Sequence, residues 1–188
     1  VRGKPDFAGE ACAEMYLKRL GSKLDQDFVF DKSGVDPSWG RGADIEELKS
    51  ALVRIGFVVG TVWHSLSLTQ PQDDLQFQFN ALQSDLTAGV PSIVQMRDEE
   101  HAGQKRFRLL LGYDDHKDEI IYHAPERKDG AYQRMARETL LKLWPVRDGD
   151  EVKVARMPLK ATAEDLNFIG PSEQNSDADY AQHVRVLK

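Results

Sequence analysis

The stretch Pro5-Asp6-Phe7-Ala8-Gly9-Glu10-Ala11-Cys12-Ala13-Glu14-Met15-Tyr16-Leu17-Lys18-Arg19-Leu20 decides how this chain is read. Ala11, Met15 and Leu20, with Cys12, Tyr16 and Leu17, lay apolar groups at three- and four-residue spacing. That spacing predicts a helix over Glu10–Leu20 with one buried face. Gly21 stands where a C-terminal cap belongs. Just before the helix, Phe7-Ala8-Gly9 puts a glycine where a loop turns into it. A side chain presented at a helix N-terminus meets free N–H groups and the positive end of the dipole, which stabilise a thiolate or an oxyanion. The residue presented here is Ala8, which has no nucleophilic atom.

Outward from that helix, Asp27–Asp31 alternates apolar and charged residues and reads as a short strand, and Lys32–Gly42 is a loop by composition. Asp44-Ile45-Glu46-Glu47 reads as a capping box, followed by a helical stripe of Ile45, Leu48, Leu52 and Ile55 that stops at Gly56. Phe57–Trp63 is β-branched and aromatic, a strand with an irregularity at Gly60. Ser65–Asp73 is polar loop. Leu75, Phe79, Leu82 and Leu86 predict a third helix from Asp74 to Gly89.

Strands follow at Ser92–Met96, Phe107–Tyr113 and Glu119–Tyr122, the last two joined by a hairpin turn around Asp114–Asp118. Met135–Trp144 predicts a helix stopped before Pro145, and Glu151–Pro158 a final strand. The expectation is an α+β fold, with an N-terminal helical part packed on an antiparallel sheet across residues 1–158. Residues 159–188 turn polar, with a break at Gly170-Pro171-Ser172, and read as a linker or tail toward a further domain. The first residue is Val1 rather than Met, which fits a removed leader or a piece of a longer protein. The compartment stays open, secreted, periplasmic or cytoplasmic.

Forty per cent hydrophobic residues suffice for a core. A net charge of −6 with scattered cations argues against a nucleic-acid surface. No run approaches the length of a membrane span. Cys12 is the only cysteine, so neither an internal disulfide nor a cysteine metal cluster is available.

Several stretches together resemble the papain-like cysteine peptidases of the bacteriocin-leader-processing (double-glycine) type. They are Asp6–Met15, then Glu47–Leu52 with Ile55-Gly56-Phe57, then Gly89–Val94, Arg106–Asp114, and Tyr122-His123-Ala124-Pro125. The order and spacing of these stretches carry the resemblance, which spans Val1 to Pro158 and implies a bacterial protein with a papain-like fold. Such a site needs a thiolate, an imidazole, a group orienting that imidazole, and a glutamine amide at the oxyanion. The resemblance puts the nucleophile on Ala8, the base on Arg106, the orienting group on Ala124 and the glutamine near Gly3. None of the four residues can do the job. A guanidinium is permanently charged and cannot act as a base, but it can hold a carboxylate.

Substitute groups are few. Cys12 lies one turn deeper on the helix face and reads as a small buried hydrophobe. His101 in the charged loop, His64 and His116 read as solvated surface residues, while His123 alternates with Tyr122 on a strand. Asp98-Glu99-Glu100-His101, and Asp114-Asp115 with His116, follow no metal-ligand spacing, so no metal and no cofactor is expected. Trp39 and Trp63 are aromatics suited to line a groove. The expectation is a catalytically inactive peptidase homologue that binds a peptide or protein, or docks on neighbouring domains of its own polypeptide. Its binding residues would be Ala8, Gly9, Arg106, His123 and Trp39. The alternatives are an active cysteine peptidase seen with its nucleophile replaced by Ala8, and a hydrolase using a metal in the acidic loop.

Overall fold

Asp44 caps a helix as its spacing requires. Its carboxylate accepts from the Glu47 N–H, and the Glu47 carboxylate accepts from the Asp44 N–H. The computed structural model describes residues 3, 4, 6–101 and 103–161. Among them the chain forms two units: the residues up to Val59 with those from Leu159 onward, and Gly60–Pro158. Helices and an all-antiparallel sheet make the fold α+β. No helix among the described residues is long and apolar enough to cross a membrane.

The first unit holds α1 (Ala8–Arg19), α2 (Gln26–Ser33), a 3-10 turn at Pro37–Trp39 and α3 (Ile45–Ile55). The stripe on α3 is fully used, with Ile45, Leu48, Ala51, Leu52 and Ile55 all buried. Helix α2 corrects the strand expected at Asp27–Asp31. The Asp25 carboxylate accepts from the Phe28 N–H, and Gly34 closes the helix with φ 78°. Gln26, Val29, Phe30 and Ser33 are its buried residues, a helical spacing that five alternating residues are too short to reveal. Lys160 accepts from the Val58 N–H at 2.8 Å, pairing the two ends of this discontinuous unit. The tail and its break at Gly170-Pro171-Ser172 fall, beyond Ala161, outside the described residues.

The second unit holds β1 (Trp63–Leu66), α4 (Pro71–Thr87), β2 (Ser92–Arg97), β3 (Lys105–Asp114), β4 (Glu119–His123), β5 (Gln133–Ala136), α5 (Arg137–Leu143), β6 (Val146–Asp148) and β7 (Glu151–Pro158). The strand order is β1-β7-β2-β3-β4-β5, with β6 also paired to β7. The hairpin expected at Asp114–Asp118 forms, its turn held by the Asp114 carboxylate accepting from the His116 and Lys117 N–H groups.

Three expectations change here. The strand expected at Phe57–Trp63 does not run through, because the chain passes from one unit to the other at Val59–Gly60. Phe57 is buried in the first unit, and β1 starts only at Trp63. Helix α4 starts at Pro71, whose fixed φ suits a first helical position. The helix expected from Met135 starts at Arg137, since Gln133–Ala136 pair with Tyr122–Glu119 as β5.

Phe79 and Leu82 of α4 and Leu140 of α5 are buried with Val94, Leu110, Ile120, Val154 and Trp144 in one core. Burying each side chain of this size is worth roughly 1.5–3 kcal/mol. The Trp144 indole N–H donates to the Ala155 carbonyl at 2.9 Å, so this core residue leaves no polar atom unpaired.

Candidate functional site

The expected site positions fall in both units. Ala8, Gly9 and Trp39 belong to the first, Arg106, His123 and Ala124 to the second.

Ala8 opens α1 with no side-chain cap at Phe7. The loop before it is held from several sides. Asp6 sits in the left-handed region at φ 69°, where a short polar side chain is tolerated. The Phe7 ring stacks on Phe30 at 4.7 Å. The Lys4 N–H donates to the Gln26 side-chain oxygen at 2.8 Å, and the Gln26 amide donates to Glu14 at 3.0 Å. Gln26 is the glutamine tied to the segment beside Gly3, and that pairing with Glu14 makes it a strut. A Cβ on Gly42 would stand 1.9 Å from the Asp6 carbonyl oxygen, so the Gly40–Ala43 loop fits against this turn only because Gly42 has none.

Glu10, in the first turn of α1, is fully buried. Its Oε2 accepts from the Ala43 N–H at 2.8 Å, while its Oε1 is buried without a hydrogen bond. Burial pushes its carboxyl above the ordinary range, and the Ala43 bond opposes this only in part. Cys12 has no exposed surface. Trp39 is 61% exposed, with the Arg41 guanidinium 5.2 Å over its ring. Arg41 in turn is paired to Glu47 and donates to the Gly42 carbonyl.

In the second unit, Arg106 is the second residue of β3, and its guanidinium is engaged within the chain. Its Nε donates to Asp98 Oδ2, and its Nη2 to the Gln104 side chain at 2.8 Å. Asp98 Oδ1 accepts from the Glu100 and His101 N–H groups at 2.7 and 3.0 Å. The Arg106 guanidinium, with these N–H groups, holds the Asp98 carboxyl well below the usual carboxylate range. Two residues on, the buried Arg108 donates to Glu126 at 2.7 Å and lies over the Tyr122 ring. Thus β3 carries two guanidinium–carboxylate pairs where the sequence reading looked for an imidazole.

Ala124 is buried, and its N–H donates to the Gly130 carbonyl at 2.8 Å. The neighbouring His123 accepts the Tyr132 N–H on Nδ1 at 2.9 Å, which places its ring proton on Nε2. His101 is exposed, its Nδ1 3.6 Å from Asp98. His116 is exposed, but His64 is not the surface residue expected: its Nε2 is buried. Trp63 lies on β1 with the Lys153 ammonium 4.5 Å from its ring centre. Among the described residues no three His, Cys, Asp or Glu side chains converge as a metal site requires.

Among solved structures, one match is the peptidase domain of Streptococcus ComA, described as a bi-functional ABC transporter involved in a quorum sensing pathway. It aligns with a TM-score of 0.53 and 17% identity, over 82% of this chain and 93% of that one. The two share a papain-like peptidase fold. No family model matches the sequence, and no curated protein matches it. At this identity the likeness carries the peptidase fold and no residue roles.

The sequence reading missed Glu10, Arg108 and Glu126, and weighed Asp98 only as a metal ligand rather than as the partner of Arg106. A signal existed for two of them, since Glu10 falls beside a predicted buried helix face and Arg108 interrupts an otherwise apolar strand.

Proposed function

We propose that this chain is a peptidase-fold module without catalysis, which holds a peptide or protein segment, or a neighbouring domain of its own polypeptide. The observation that carries the reading is Arg106. The resemblance puts the proton shuttle there, and the residue is a permanent cation committed to Asp98 and Gln104. Ala8 supplies no nucleophile, and the one thiol, Cys12, is buried a turn inside α1. The buried Ala124 supplies no orienting group.

The second reading, a cysteine peptidase with its nucleophile replaced by alanine, draws on the start of α1. An uncapped helix end behind a positive-φ residue, clamped by Gly42 and the Lys4–Gln26–Glu14 chain, is a support suited to presenting one side chain.

Incubating the immobilised protein with a complex peptide mixture, read by mass spectrometry, tests the proposal. Peptides captured intact are the expected result. Cleavage products abolished by thiol alkylation would overturn it. Cleavage by the double variant Ala8→Cys, Arg106→His, with none by the unaltered chain, would favour the second reading.

A further inference from the structure

Strand β1 is four residues long and, among the described residues, stands at one edge of the sheet, paired with β7. His64 lies opposite Val154 in that pairing. Arg156, two residues further along β7, is therefore its diagonal neighbour on the same face, within reach of a long side chain. The Arg156 N–H also donates to the Val62 carbonyl at 3.0 Å, just ahead of β1. From α4, Asp85 accepts from Arg156 Nη1 at 3.0 Å. The His64 ring hydrogen-bonds to the backbone of Thr61, and its Nε2 is buried with no partner. Arg156 Nε is also buried with no partner. A neutral imidazole fits these surroundings, whereas a second ring proton would place a buried charge beside a guanidinium.

We propose that His64 and Arg156 form an acid-sensitive latch, which keeps β1 on the sheet while His64 is neutral and loosens it as the surroundings acidify. Burial first, and Arg156 second, hold the imidazole below its ordinary range in the closed strand. In an opened strand His64 regains an ordinary value of about 6.5. The sign follows: closure is fully favoured above about pH 6.5 and weakens as pH falls toward the lower value of the closed state. Arg156 and, behind it, Asp85 are the charged groups facing the ring from β7 and α4. Asp85 is engaged by Arg156. Leu66, at the end of β1, is one wall of a 580 Å³ groove whose other walls include Pro71, Leu75, Leu141 and Val152. Release of β1 removes that wall, so the groove opens with acid.

Amide hydrogen exchange on the full chain, between about pH 8 and pH 5 and corrected for intrinsic rates, tests the latch. The Trp63–Leu66 amides are expected to lose protection by up to about tenfold per pH unit below about 6.5, while Leu109–Leu111 in β3 keep theirs. His64→Gln, neutral at every pH, should flatten the β1 response. Constant β1 protection, or an equal loss in His64→Gln, overturns the proposal. Should that variant fail to fold, the His64 ring resonances of the unaltered protein decide. A titration midpoint below that of free histidine supports the latch, and one at or above it overturns it.

Discussion

Replacing Glu10 with glutamine should make the protein more stable in alkaline than in acidic solution relative to the unaltered chain. The Glu10 carboxyl has no exposed surface, one oxygen held by the Ala43 N–H and the other buried without a partner. A backbone N–H to a charged oxygen returns roughly 1.5–3 kcal/mol, while burying a carboxylate costs several kcal/mol even after relaxation. The charged form is therefore disfavoured by about 1–3 kcal/mol against the neutral one. The folded value lies above the unfolded one. The stabilisation is thus complete below the unfolded value near 4.3 and is lost as pH rises through the folded value. Glu10→Gln keeps the shape and the Ala43 acceptor and has no charge to bury. Urea unfolding followed by circular dichroism, in steps from about pH 4 to pH 8, reads the difference. The variant should gain on the unaltered protein by about 1–3 kcal/mol across that range, with a slope of no more than about 1.4 kcal/mol per pH unit. Two parallel stability curves would refute the reasoning.

Asp98→Asn should cost about 1.5–3 kcal/mol at neutral pH, since it weakens the partner of Arg106 while leaving the turn acceptor in place. The lowered carboxyl of Asp98 gives the unaltered protein a stability present above about pH 4 and lost at lower pH, so thermal melts of the two proteins should converge in acid. Gly42→Ala should unfold the start of α1 or displace its loop, because the new Cβ would overlap the Asp6 carbonyl. A loss of about 3 kcal/mol or more, seen by thermal unfolding, is expected, and a melt unchanged from that of the unaltered protein would contradict the packing described.

Elements with their own local signals were legible in the sequence. The capping box at Asp44–Glu47, the stripe of α3 and the hairpin around Asp114–Asp118 each carry cap or turn chemistry within a few residues, and each forms. Asp27–Asp31 misled because three apolar residues, Phe28-Val29-Phe30, between two charges fit a short strand and a helical turn alike. Asp25 and Gly34, the cap residues that decide it, lie outside the window. Phe57–Trp63 reads as one strand only if the chain is assumed to stay in one unit, and Gly60, where it leaves, reads as no more than an irregularity.

For the candidate site, the sequence offered positions and not contacts. Ala8 and Arg106 are singled out by the family resemblance. That Arg106 is claimed by Asp98, eight residues earlier, depends on how the β2–β3 connection folds back. Likewise His64 looks solvent-bound in a polar neighbourhood until the register of β1 on β7 brings Arg156 beside it.

The hydrogen bond between Val58 and Lys160 makes the second unit a closed excursion from the first. The chain leaves after Val59 and returns at Leu159, so about 100 residues are looped out, at a closure entropy that grows only with the logarithm of their number. Lengthening or shortening that loop by a whole strand changes the closure cost by a small fraction of a kcal/mol. In chain entropy, the clasp at Val58–Lys160 is therefore nearly indifferent to the length of what it encloses. Seen as an evolutionary joint, it marks a place where the length of the second unit can change at little cost in chain entropy to the first.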